Sequence, residues 1–170
     1  MKRFITILTL GAALGGCGFH LRGSQTTENL PDVAVRLDCP AAQSQDFCTV
    51  LSQRLQATGI RIDDSASPYS VTLAAPAETV RAVSISQSAD AAENEITRSV
   101  SWAVLNSADG RRLEGRLARR ESYRYDKSSG LGNDSKQARI RRSLDKQLAE
   151  SLVPRIASAL RQLTTANHAD

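Results

Sequence analysis

The sequence predicts an α+β two-layer sandwich: two helices packed on one face of a four-stranded, mainly antiparallel sheet, in the order β-α-β-β-β-α. Three observations carry this. Leu144, Leu148, Leu152, Ile156 and Leu160 recur every four residues, with Leu163 three further on, which is the period of one helix face. Residues 96–104 and 113–125 alternate apolar and polar side chains, with the hairpin dipeptide Asp109-Gly110 between them. A shorter strand-then-helix pattern precedes them. Two helices covering one face of such a sheet bury all the apolar stripes together.

In order, Val33, Val35 and Leu37 alternate with polar neighbours and read as a first strand, ended by Cys39-Pro40. Ser44 or Asp46 can cap a helix beginning near Phe47, and Phe47, Val50, Leu51 and Leu55 lie on one stripe. Gly59 ends it as a left-handed cap. Ile60 and Ile62 then point one way, before a polar turn at Asp63 to Pro68. Tyr69, Val71 and Leu73 alternate in a second strand, which Pro76 interrupts and Val80 to Gln87 resumes. A polar hairpin loop covers Ser86 to Asn94. Ile96, Val100, Trp102 and Val104 share one face of a third strand; Leu113, Leu117, Tyr123 and Tyr125 share one face of a fourth. Gly130 and Gly132 mark Ser128 to Asp134 as a mobile loop. The last helix is expected from about Ser135 to Leu163, kinked or weakened at Pro154.

At 170 residues the chain is one domain's worth. With 41% hydrophobic residues it is too polar for a polytopic membrane protein and too apolar for a disordered one. Aromatics are only 4%, so Ala, Leu, Ile and Val must build the core. The net charge of +4 gives no sign of a nucleic-acid partner. His20 and His168 lie in the terminal segments, and the serine-hydrolase, zinc-protease and phosphate-loop motifs are absent. Asp63-Asp64 sits in a turn, and Glu93 and Glu95 flank a hairpin as ordinary solvated acids. No catalytic residue, metal or cofactor is expected.

The first residues read as an address. Lys2 and Arg3 precede eleven uncharged residues, Phe4 to Leu14, too few for the ~20 of a spanning helix. The run ends in Leu14-Gly15-Gly16-Cys17, which resembles the lipobox of bacterial lipoproteins. That resemblance implies removal of residues 1–16 and acylation of Cys17, anchoring the chain in the outer-membrane lipid. Gly18 favours the outer membrane over the inner. The bland alternative is an ordinary cleaved signal with a chance cysteine. Residues 17–30 then form a lipidated tether, 31–163 a single α/β sandwich domain and 164–170 a flexible tail. In an oxidising periplasm the remaining cysteines, Cys39 and Cys48, are expected to pair; free thiols and a metal site are the rival readings.

The small net charge hides an asymmetry. Residues 111–142 hold eleven basic and four acidic side chains, and the rest of the chain after Gly16 is net acidic. If Leu113, Leu117 and Tyr123 face the helices, Arg112, Arg116, Arg120 and Arg124 face the other way, ~13 Å apart. Arginine forks match phosphate oxygens bidentately, so such a row suits a polyanion. The spacing alone equally fits a solvated sheet face. Arg98 breaks the apolar pattern of the third strand, and Arg81 shares the side of Val83 and Ile85 unless a bulge turns it.

Cys17-Gly18-Phe19-His20-Leu21-Arg22-Gly23 resembles the start of the LptE family, the lipopolysaccharide-assembly lipoproteins of the Gram-negative outer membrane. Leu51-Ser-Gln-Arg-Leu55 with Gly59-Ile60 is similar to that family's first helix and its exit, Ala82-Val-Ser-Ile85 to its hairpin, and the Leu-rich closing helix also matches. The resemblance implies a non-enzymatic lipoprotein that plugs the lumen of a large outer-membrane β-barrel, LptD. There it helps assemble the barrel and assists insertion of lipopolysaccharide, which some members bind. It makes Cys17 the acylated residue and brings Arg119 or Arg120 near a basic lipopolysaccharide-contact position; the second-strand counterpart is Gln87. The alternative is a structural lipoprotein serving another envelope protein. A periplasmic hydrolase is the remaining rival, disfavoured by the missing histidine and serine constellation.

Overall fold

The computed structural model describes residues 33–40, 45–65, 67–85, 91–126, 128 and 130–165. The signal at 1–16, Cys17 and the tether at 17–30, Ser44, Gln87 and residues 166–170 lie outside the described residues.

Alternation at the start makes β1 (Ala34–Asp38), with Val33 and Val35 buried toward the helices. Helix α1 (Gln45–Ala57) buries Phe47, Leu51 and Leu55. It stops at Gly59, whose φ of +88° allows the Gly59 amide to reach the Gln56 carbonyl and the Ile60 amide the Leu55 carbonyl. The chain returns as β2 (Arg61–Ile62) and β3 (Tyr69–Leu73), which flank β1 and both run parallel to it. The longest strand, β5 (Ala91–Asn106), is antiparallel to β3, to β4 (Ala77–Ile85) and to β6 (Arg112–Arg124). β3 and β4 follow one another along one edge of β5, and β6 occupies the other.

The two-layer α+β architecture therefore stands, but the four-stranded, mainly antiparallel sheet is corrected to a six-stranded mixed one. Two causes account for the difference. The alternation of Ile60 and Ile62 is too short to mark a strand by itself; the partner of β2 is β1, 27 residues earlier at the Ala34↔Arg61 pair. The second predicted strand is also really two, because Pro76 lacks an amide for the ladder. The ladder continues as far as the Ala74 amide on the Ser101 carbonyl, 2.9 Å, and resumes at Ala77↔Ser99.

Helix α2 (Gly130–Thr165) starts inside the segment predicted as a loop and runs on unbroken past Pro154. Its first turn is held from the side. Asn133, buried, donates to the Asp126 carbonyl at 2.6 Å and accepts from the Asp126 amide at 3.3 Å. At the far end Arg111 donates to the Leu163 carbonyl at 2.6 Å. Both helices lie on one side of the sheet, and their Leu-rich faces meet Val35, Val71, Val100, Val104 and Leu117 in the main core. Cys39 and Cys48 form a disulfide that joins the end of β1 to α1, with Cα atoms 6.3 Å apart. Trp102 lies over Gly115, its cross-strand neighbour; a Cβ there would stand 3.0 Å from the indole ring, so the glycine makes room for the only tryptophan.

Candidate binding face

The turn between β5 and β6 fixes which side chains share a face. The Asn106 amide bonds the Arg111 carbonyl at 2.9 Å, Gly110 adopts φ +73°, and the register runs on through Thr97↔Arg120 to Glu93↔Arg124. Along β6, Leu117 and Tyr123 are buried against the helices and Leu113 is half-buried. Arg112, Arg116, Arg120 and Arg124 consequently project together from the face that the helices leave uncovered. Arg119 does not join them. It points to the helix side and donates to Ser151 Oγ at 2.7 Å.

The row is not a bare strip of positive charge. Arg112 pairs with Glu114 at 2.8 Å, and Arg116 donates to Ser99 Oγ at 2.7 Å. Arg120 lies 3.8 Å from Glu95, which also takes Arg81 at 2.9 Å. Arg124 has no ion pair among the described residues. Glu95 is only 8% exposed, held between strands at the centre of the open face. It is therefore not the solvated hairpin acid that its sequence position suggests. Its place was deducible: once Ile96, Val100 and Trp102 are turned inward, Glu95 must face out, and the Asp109-Gly110 turn sets it beside Arg120. Arg81 joins the same face opposite Glu95, ahead of a register shift between Ala82 and Ser84.

Small side chains floor the face. Thr72, Ala74, Ser101 and Ala103, with Arg112, Glu114 and Arg116 at the rim, line a shallow concavity of about 530 Å³. Ser99, which takes the Arg116 guanidinium, and Ala103 are buried with no helix above them, whereas Thr72, Ala74 and Ser101 are exposed. The face thus offers partly neutralised, bidentate donors around a flat polar floor. It suits a large anionic or acidic surface better than an apolar one.

On the opposite side, Arg98 bridges the layers. It makes a two-pronged contact to Asp145 of α2, at 2.6 and 3.1 Å, and reaches Glu78 of β4 at 2.8 Å. Arg141 closes on Glu78 at 2.9 Å. Burial pushes the Glu78 carboxyl up, but the Arg141 and Arg98 hydrogen bonds outweigh it and hold the group below its ordinary value. Burial also pushes Asp145 up, and there the Arg98 contacts do not overcome it. The polar break in the third strand is thus an anchor for α2.

The family profile described as LptE, lipopolysaccharide-assembly, matches residues 33–156. The chain belongs to the LptE family. LptE membership gives it a role in lipopolysaccharide assembly and places it among envelope lipoproteins; the family works in lipopolysaccharide transport with an outer-membrane barrel partner. Solved structures agree in fold. The rare lipoprotein B of Shewanella oneidensis is 17% identical over 77% of this chain and 98% of its own, with a TM-score of 0.67. A minor lipoprotein of Acinetobacter baumannii is 17% identical over 77% of this chain and 95% of its own, with a TM-score of 0.64. Lipoprotein B of Nitrosomonas europaea, solved in solution, is 21% identical over 83% and 91%, with a TM-score of 0.58. At these identities the likeness speaks for the fold alone. No curated protein matches the sequence significantly.

Proposed function

We propose that this LptE-family chain is a non-enzymatic outer-membrane lipoprotein, acylated at Cys17, that plugs the lumen of the LptD barrel and helps assemble it. From there it assists insertion of lipopolysaccharide into the outer leaflet. Arg112, Arg116, Arg120 and Arg124 meet phosphates of lipopolysaccharide or acidic groups of the barrel wall. The single observation that carries this reading is the common projection of the four arginines from the uncovered face. Arg119, turned to Ser151, serves as a helix contact in it. Since charge does the work, binding weakens as salt rises.

Two experiments test it. Changing Arg116, Arg120 and Arg124 together to Glu should reduce lipopolysaccharide binding by roughly tenfold or more while leaving the melting temperature close to that of the parent. Unchanged binding returns the row to solvated surface. Affinity purification from detergent should recover a large outer-membrane β-barrel. Recovery of soluble envelope proteins alone would instead establish a structural lipoprotein with another partner.

A further inference from the structure

The buried apolar side chains fall into two clusters. The main one joins β1, α1 and β3 to Val100, Val104, Leu117 and the part of α2 from Leu148 to Leu163. The second is small: Ile96, Tyr123, Ile140 and Leu144, with Tyr125 packed against it. Charged groups run between them across the layer boundary. Arg98 and Arg119 stand opposite each other in register on β5 and β6. Like charges so placed are unfavourable unless something serves each of them. Here α2 serves both, through Asp145 and Ser151. The Arg98 side chain is only 12% exposed, and Glu78 and Arg141 extend the belt to the sheet edge.

The helix itself is weakest over the small cluster. It opens with Gly130 and Gly132, and no acid occupies its first turn. Lys136, Arg139 and Arg142 follow three apart as like charges along one stripe, with Lys136 donating to the Arg124 carbonyl at 3.2 Å. Little apolar burial, two glycines and a run of like charges therefore coincide in residues 130–145, where polar contacts such as those of Asn133 do the holding. The half beyond them carries eight buried residues, Leu148 to Leu163.

We infer that residues 130–145 of α2 form a separately opening unit, latched to β4 and β5 by Arg98, Glu78, Asp145 and Arg141. The unit leaves the sheet while residues 148–163 stay docked. Its opening uncovers Ile96 and Tyr123 and frees Arg98 from Asp145, while Arg119 stays on Ser151 of the docked half, so one event changes both the shape and the charge of that end of the molecule.

Native-state hydrogen exchange on the full chain tests this without any ligand. Amides of residues 134–145 should exchange at least about tenfold faster than those of 148–163, apart from the frayed last turn. Asp145→Asn should accelerate the first set and leave the second unchanged. Arg141→Gln, at a half-exposed position, gives the same reading if Asp145→Asn fails to fold. Equal protection of both halves in the parent overturns the inference, as does a variant that accelerates both sets together.

Discussion

Glu95 shows how one side chain sets the character of a surface. Its carboxylate is nearly buried yet shared by Arg81 and Arg120, whose own side chains are well exposed. The exposed ends gain little from Coulomb attraction in water, so the pair's value lies more in placement than in stability. Glu95→Gln keeps the shape and removes the charge. It should lower stability by only about 1 kcal/mol, read as a small drop in melting temperature. It should also delay elution from an immobilised polyanion to higher salt, because the face gains one net positive charge. Earlier elution would mean that Glu95 is needed to hold the arginines in their binding arrangement.

At the scale of elements, legibility followed locality. α1 and its Gly59 stop, and the in-out order of β6, are written in contiguous residues and were readable there. β2 was not, because two residues become a strand only through β1. The start of α2 is hidden in the sequence because Gly130, Gly132, Asn133 and Asp134 have loop-like propensities, whereas Asn133 bonds the preceding Asp126 backbone and secures the turn. Glu95 looks like a hairpin acid beside its sequence neighbours, and only the cross-strand register sets it between Arg81 and Arg120. Two elements invite direct tests. The Cys39–Cys48 bridge fastens the end of β1 to α1 and closes a short loop. Intact mass without reductant should be lower by two hydrogens than after reduction, and Cys48→Ala should cost about 2–3 kcal/mol in denaturant unfolding. Equal masses before and after reduction would show free thiols. Pro154 faces solvent in α2 and withholds an amide from the Glu150 carbonyl, while Leu152 and Ile156 on either side are fully buried. Packing thus carries the helix through a residue that opposes it. Pro154→Ala should raise stability by about 1–3 kcal/mol, seen as a higher unfolding midpoint with unchanged helical circular dichroism.

The whole molecule is a sheet with one covered face and one bare face, and the chemistry of the bare face says how it meets its surroundings. Faces that exist only inside permanent assemblies are apolar, like a core cut in half. This one is built of Ser, Thr and Ala between rows of arginines, with Glu93, Glu95 and Glu114 among the charges. Among the described residues, the large apolar side chains left exposed are Val80, Val83, Ile85 and Leu131, on β4 and at the start of α2, away from the floor of that face. The uncovered sheet therefore does not need a lid in order to fold. A barrel that received it would do so through polar and charged complementarity, which governs encounter and orientation more than burial does. The domain from residue 31 onward should accordingly be folded and monomeric at micromolar concentration without any barrel. Light scattering should give the mass of one chain, and urea should unfold it in one cooperative step. Barrel association should slow as salt rises, through its on-rate. Aggregation of the isolated domain, relieved only by the barrel, would show that the bare face is an apolar interface in effect and that complementarity of charge is secondary.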